Sequence, residues 1–232
     1  MSKTPGERAA REEVASRTTV VLRPLAGPLT LGFLGLAAAT FVVAGLQLGW
    51  VEPAEGKQVA LCVLAFTVPL QFTASVVGFL ARDGVAAGGM GLLSGIWAAV
   101  GLVLFTSDPG STSDALGLFL LVAAVAMWAP ASAAGAAKLV PAAVLATAGL
   151  RFLLTGVYEL TADEVWEDAA GLVGLFLAAI AVYAAYAAEY EDTLKRQVLP
   201  LGRRGRGESA VQGTYAQQVA GLANEPGVRQ QL

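Results

Sequence analysis

Arg151 stands in the middle of an apolar stretch, LATAGLRFLLTGV, that runs from Leu145 to Val157. A guanidinium stays charged at any physiological pH, so its neighbours must compensate it. On a helix, residues three and four apart share a face, which lines up Thr147, Ala148, Arg151 and Thr155. That face is small, hydroxylated and cationic, and it would suit a passing anion. The alternative is a structural arginine that pairs with an outside carboxylate or with helix-end carbonyls. Little else in the chain could do chemistry. There is no histidine, and Cys62 is the single cysteine. The lack of histidine removes His-liganded metals, Ser-His pairs and histidine proton relays. A lone cysteine forms no intrachain disulfide, which leaves Cys62 as a small apolar residue within a helix. An intramembrane aspartyl protease would need two carboxylates at membrane depth. None lies well inside an apolar run, since Asp168 and Glu189 fall near run ends. No P-loop or Gly-rich nucleotide loop is present. The sequence thus predicts no enzyme, no cofactor and no metal.

The elements that must position Arg151 follow from composition. Of the 232 residues, 56% are hydrophobic and 14% charged, and the mean hydropathy is +0.62. A soluble domain carries about 25% charged residues, and this chain has too few to wet the surface of one. Six apolar runs lie near residues 28–50, 59–80, 84–106, 114–137, 139–160 and 166–188. Each has about 20 residues or more, enough for a helix to cross roughly 30 Å of hydrocarbon. The runs are too long for strands and lack period-two alternation, which argues against a β-barrel. The predicted fold is an all-α integral membrane protein, a bundle of six transmembrane helices. Its predicted parts are an N-terminal tail over 1–24, the helical domain over 25–190 and a C-terminal tail over 191–232. Residues 1–23 are polar, with no apolar core behind a short basic head, and so do not read as a cleavable signal. They predict a disordered tail or a short surface helix at ERAAREEVA.

Charge sets the predicted orientation. With the N-terminus inside, all but two of the 15 basic residues fall on the inner side. The exceptions are Lys57, in an outside loop, and Arg151. The outside loops are acidic, with Glu52 and Glu55, Asp108 and Asp114, then Glu159, Asp163, Glu164, Glu167 and Asp168. This pattern obeys the positive-inside rule and puts both termini in the cytoplasm. Trp50 and Trp166 fall at predicted interfaces. Small residues crowd GGMGLLSG (Gly88–Gly95) and APASAAGAA (Ala129–Ala137), giving faces that suit close packing within the bundle or between subunits.

The last run leads out through YAAYAAEYEDTLKRQVLPLG (Tyr183–Gly202), where Arg196, Val198, Leu199, Pro200, Leu201 and Gly202 fit R-x-V-L-P-[IL]-G. The second run contains PLQFTASVVGFL, with Gln71 and Ala74, and the third contains Trp97. In these residues, and in its six runs and polar N-terminal tail, the chain resembles the acetate uptake transporter family of SatP/YaaH type over residues 25–202. The family signature opening the first span is N-P-[AV]-P-[LF]-G-L. Here the stretch is LAGPLTL (Leu25–Leu31), which keeps Pro28, Leu29 and Leu31 and replaces the asparagine, the first proline and the glycine. The resemblance places this motif and Gln71 at the substrate path. It also implies a narrow hydrophobic constriction, built in the family from a phenylalanine, a tyrosine and a leucine on three spans. The corresponding positions are Leu34, Leu93 and Ala148, all smaller or less polar, which implies a wider or reshaped gate. Arg151 takes a place usually held by an aliphatic residue, one turn from Ala148.

The resemblance implies a transporter or channel for small carboxylates, acetate-like monocarboxylates with succinate as a further candidate, in the plasma membrane. It implies a homohexamer in which each protomer holds its own path; the helix-face reading places Thr147 and Arg151 along that path. Its partners would be the carboxylate solute and the lipid bilayer. Two other functions fit the same bundle: a non-transporting scaffold or sensor, and a channel for a neutral solute. Arg151 argues against the second. With no histidine and no deep carboxylate, a proton would travel on the solute as the neutral acid, or coupling would be absent. No nucleic-acid partner is expected, because the charges sit at the ends and in short loops. The cluster GRRGRG (Gly202–Gly207) would touch anionic lipid headgroups or stay solvated.

Overall fold

The structure is a computed structural model that describes residues 25–194, 196–205 and 208. The N-terminal tail, with ERAAREEVA, lies outside the described residues, as does most of the C-terminal tail beyond Gly205. Six helices long and apolar enough to cross a membrane fill the described chain. They are α1 (Leu29–Gln47), α2 (Pro53–Leu80), α3 (Gly84–Thr106), α4 (Asp114–Gly135), α5 (Leu139–Thr161) and α6 (Glu164–Leu194). Two helix ends differ from the apolar runs for a physical reason. The second helix begins in the polar turn Pro53–Glu55, and the last continues through Glu189, Glu191 and Asp192. Helical structure persists there after the apolar pattern has stopped.

Local chemistry sets the helix ends. The Asp83 carboxylate accepts from the Ala86 N–H at 3.0 Å, and the Ser113 hydroxyl from the Leu116 N–H at 3.3 Å, capping α3 and α4. Lys138 gives α5 no side-chain cap. Instead Leu139 and Val140 donate to the carbonyls of Gly202 and Leu201 at 3.0 and 3.1 Å. The VLPLG segment therefore folds back to satisfy N–H groups that a helix start leaves bare. The Tyr183 hydroxyl donates to the Pro200 carbonyl at 2.9 Å, and Leu201 is buried. Gly202 has φ +63°, and a Cβ there would sit 2.8 Å from that of Leu139. Only glycine fits that close turn.

Inside α2, Pro69 lacks an N–H and its ring crowds the carbonyl four residues back. The helix widens to a π-turn over Val63–Thr67 just before it. The Thr67 hydroxyl there reaches across to the Gly35 carbonyl at 2.8 Å, tying α2 to α1. The main packed pairs are α4 with α5, α1 with α6, and α2 with α3. Glycines allow the closest approaches: Gly117 and Gly156 bring α4 and α5 nearly backbone to backbone. Of the GxxxG pair in α3, Gly91 packs against Ser75 within the bundle, while Gly95 faces open space. Both described chain ends share one end of the bundle, where the Gly27 N–H donates to Asp192 at 2.6 Å.

Candidate functional site

Arg151 is 1% exposed, near the middle of α5 and at the heart of the bundle. Its Nη1 donates to the Thr40 hydroxyl, and its Nη2 donates to Gln47 Oε1 at 2.9 Å. Its Cζ lies 5.4 Å from the centroid of Trp97, which meets Phe152 edge-on at 5.6 Å. The Nε has no hydrogen bond and lies against Gly174 of α6, where a Cβ would come within 2.8 Å. Four helices thus hold one side chain: α1 through Thr40 and Gln47, α3 through Trp97, α6 through Gly174, and α5 itself.

The energetics explain why the charge is tolerated. A central arginine costs at least about 2.5–3.5 kcal/mol on insertion scales. Hydrogen bonds to a charged group return about 1.5–3 kcal/mol each, and a desolvated cation–π contact about 2 kcal/mol. These terms cover that cost, but every partner is neutral. No Asp or Glu reaches Arg151 among the described residues. Neither form of the structural alternative, an outside carboxylate or helix-end carbonyls, is what the guanidinium meets.

Beyond Arg151, away from the chain ends, a cavity of about 110 Å³ opens at the far end of the bundle. Its deeper wall includes Val43, Gln47, Val100, Leu116 and Thr155, and its mouth includes Ser107, Asp108, Ser111, Tyr158, Glu159 and Glu167. The Gln47 Nε2 donates to the Thr155 hydroxyl at 3.4 Å. This pair separates the cavity from Arg151. At the mouth, Glu159 accepts the Ser113 N–H at 2.7 Å and Tyr158 bonds Glu167. An acid-lined vestibule therefore stands above a buried cation, with one amide between them.

The remaining expected residues do not all join this group. Leu93 and Ala148 are fully buried on α3 and α5. Leu34 is 36% exposed on the outer side of α1, so it does not meet them; its neighbour Phe33 is buried instead. One residue turns a helix by about 100°, which carries Leu34 off the inner face. Leu31 is likewise exposed, while Pro28 is buried near the chain ends and Leu29 is half-buried. Gln71 is buried, with Nε2 on the Gly32 carbonyl at 3.5 Å and Oε1 unpartnered. Thr147 is half-buried, one turn nearer the chain ends than Arg151. Sequence reasoning missed Thr40, Gln47 and Gly174. A signal existed: Phe33, Thr40 and Gln47 recur every seven residues, two turns of helix, and so mark one stripe of α1.

A family model, the GPR1/FUN34/yaaH family, matches residues 12–200. The chain belongs to the GPR1/FUN34/yaaH family. No curated protein matches the sequence. The fold is similar to the solved structure of the bacterial acetate channel SatP, at 19% identity and TM-score 0.70. That likeness covers 77% of this chain and 99% of the channel's. It confirms the six-helix membrane architecture, and this member of the GPR1/FUN34/yaaH family is a multi-pass membrane protein. Against that family frame, the Pro200–Gly202 part of the terminal motif has a clear physical task, the closing of α5.

Proposed function

We propose that the chain carries small monocarboxylates, acetate-like in size, across the plasma membrane. The observation that carries this reading is Arg151, a fully buried cation held by neutral partners alone. A carboxylate solute would supply the missing counter-charge, and a guanidinium binds carboxylates in fork geometry. Membership of the family and the shared fold of an acetate channel support the same class. With the basic termini inside, the vestibule faces outward. Its carboxylates repel an anion at the mouth, so the solute approaches as the neutral acid, leaves its proton on the vestibule carboxylate Glu159, and is held beside Arg151 as the carboxylate. The same repulsion makes succinate the poorer substrate. Below Arg151 the constriction is Phe33, Leu93 and Ala148, with Phe33 in the place expected for Leu34. Gln71 lies on its inner side. Protomers assemble as a homohexamer, each with its own path.

One observation favours the scaffold reading. The vestibule stops at Gln47 and Thr155, and Leu93 and Ala148 are closed in the core. Uptake of labelled acetate into proteoliposomes separates the two, across a pH series and beside propionate, lactate and succinate. A carrier gives saturable acetate uptake that rises as external pH falls. Absence of uptake of all four, from folded protein, would overturn the carboxylate reading in favour of the scaffold or the neutral-solute channel.

A further inference from the structure

Gln47 stands, with Thr155, between the vestibule and the buried cation. It is 8% exposed and lines the cavity, while its Oε1 holds Arg151 Nη2 at 2.9 Å. Its other bond, from Nε2 to the Thr155 hydroxyl, is long at 3.4 Å and therefore weak. An amide oxygen is a neutral acceptor, whereas a carboxylate brings a full opposite charge and can accept two parallel guanidinium N–H bonds. The side chain is thus held firmly by the group a carboxylate would claim, and loosely by everything else. We infer that Gln47 is the outer gate of the path: its amide stands in for the solute carboxylate on Arg151 and is displaced by it. When the carboxylate takes Nη2, Gln47 swings towards the vestibule and loses Thr155. The freed Thr155 hydroxyl can then donate to the second carboxylate oxygen. The gate so explains how a closed structure admits a ligand to a site with no open route. It also sets specificity, because only a solute with an acceptor stronger than an amide displaces the gate.

This inference rests on the carboxylate reading above, and the experiment separates the two. Acetate uptake into proteoliposomes and thermal unfolding with and without acetate are measured for wild type, Gln47→Glu and Gln47→Ala. The Gln47→Glu variant places a tethered carboxylate on Arg151. It should unfold at a higher temperature, lose the acetate-induced shift, and lose uptake about tenfold or more, the scale of one hydrogen bond to a charged group. The Gln47→Ala variant removes the competitor, and its KM for acetate should fall about threefold or more. A merely structural Gln47 would lower stability in both variants and leave KM unchanged. Acetate uptake by wild type with unaltered KM in Gln47→Ala and a retained acetate shift in Gln47→Glu would overturn the gate alone. A wild type inert to acetate in both assays would overturn the carboxylate reading and the gate with it.

Discussion

At the end of the bundle that gathers the chain termini, Arg203 grips Glu191 with two nitrogens, its Nε at 3.1 Å and its Nη2. At mid-depth, Arg151 meets a threonine, a glutamine and a tryptophan ring. The side chains are the same, but Arg203 has a carboxylate partner and Arg151 has neutral ones. Arg203 is a finished ion pair beside the folded-back VLPLG segment, at an end the chain itself closes. Arg151 is desolvated and hydrogen-bonded but not neutralised, below an end that stays open as a vestibule. The contrast lies in the counter-charge, which Arg203 has in Glu191 and which the proposed function gives to Arg151 as the solute's carboxylate.

Substitutions can break that contrast. The largest effect short of removing Arg151 is expected from Gly174→Ala. The new Cβ would fall 2.8 Å from Arg151 Nε and 3.0 Å from Ala44 Cβ, so the guanidinium must leave its seat. Acetate uptake per folded molecule should drop about tenfold, the scale of one hydrogen bond to a charge. Arg203→Leu should do the opposite. It should lower unfolding stability by about 2 kcal/mol, with uptake per folded molecule unchanged. A mouth variant, Glu167→Gln, should raise acetate uptake at neutral pH about threefold, by removing one repelling charge in partly screened surroundings. The smallest effects separate the two α3 glycines. Gly91→Ala meets Ser75 Oγ at 2.8 Å and disturbs its bond to the Ala87 carbonyl, costing about 1 kcal/mol. Gly95→Ala meets nothing within 4 Å and should stay within about 0.5 kcal/mol of wild type. A changed oligomeric state in Gly95→Ala would instead place that face in a subunit contact.

The bundle was legible because lipid demands uniform apolar length, and the loop charges marked its turns. The site was legible only in part. Arg151 stood out as a charge in an apolar run, but its partners lie far off in sequence. Gln47 is the last residue of α1, and Gly174 is one of 27 glycines in the chain. Their role depends on how α1 and α6 meet α5, which no local pattern encodes. Leu34 is exposed and its neighbour Phe33 buried, because a step of one residue on a helix changes the face. The seven-residue spacing of Phe33, Thr40 and Gln47 marks the inner stripe of α1.

The central claim is that Arg151 takes the solute's carboxylate. Its most direct test is saturable acetate uptake by wild type and by Arg151→Leu, both reconstituted from protein shown to be folded. The account predicts saturable uptake in wild type and its loss in Arg151→Leu, with folding intact because leucine suits that core. Equal uptake and equal anion selectivity in the two proteins would contradict it.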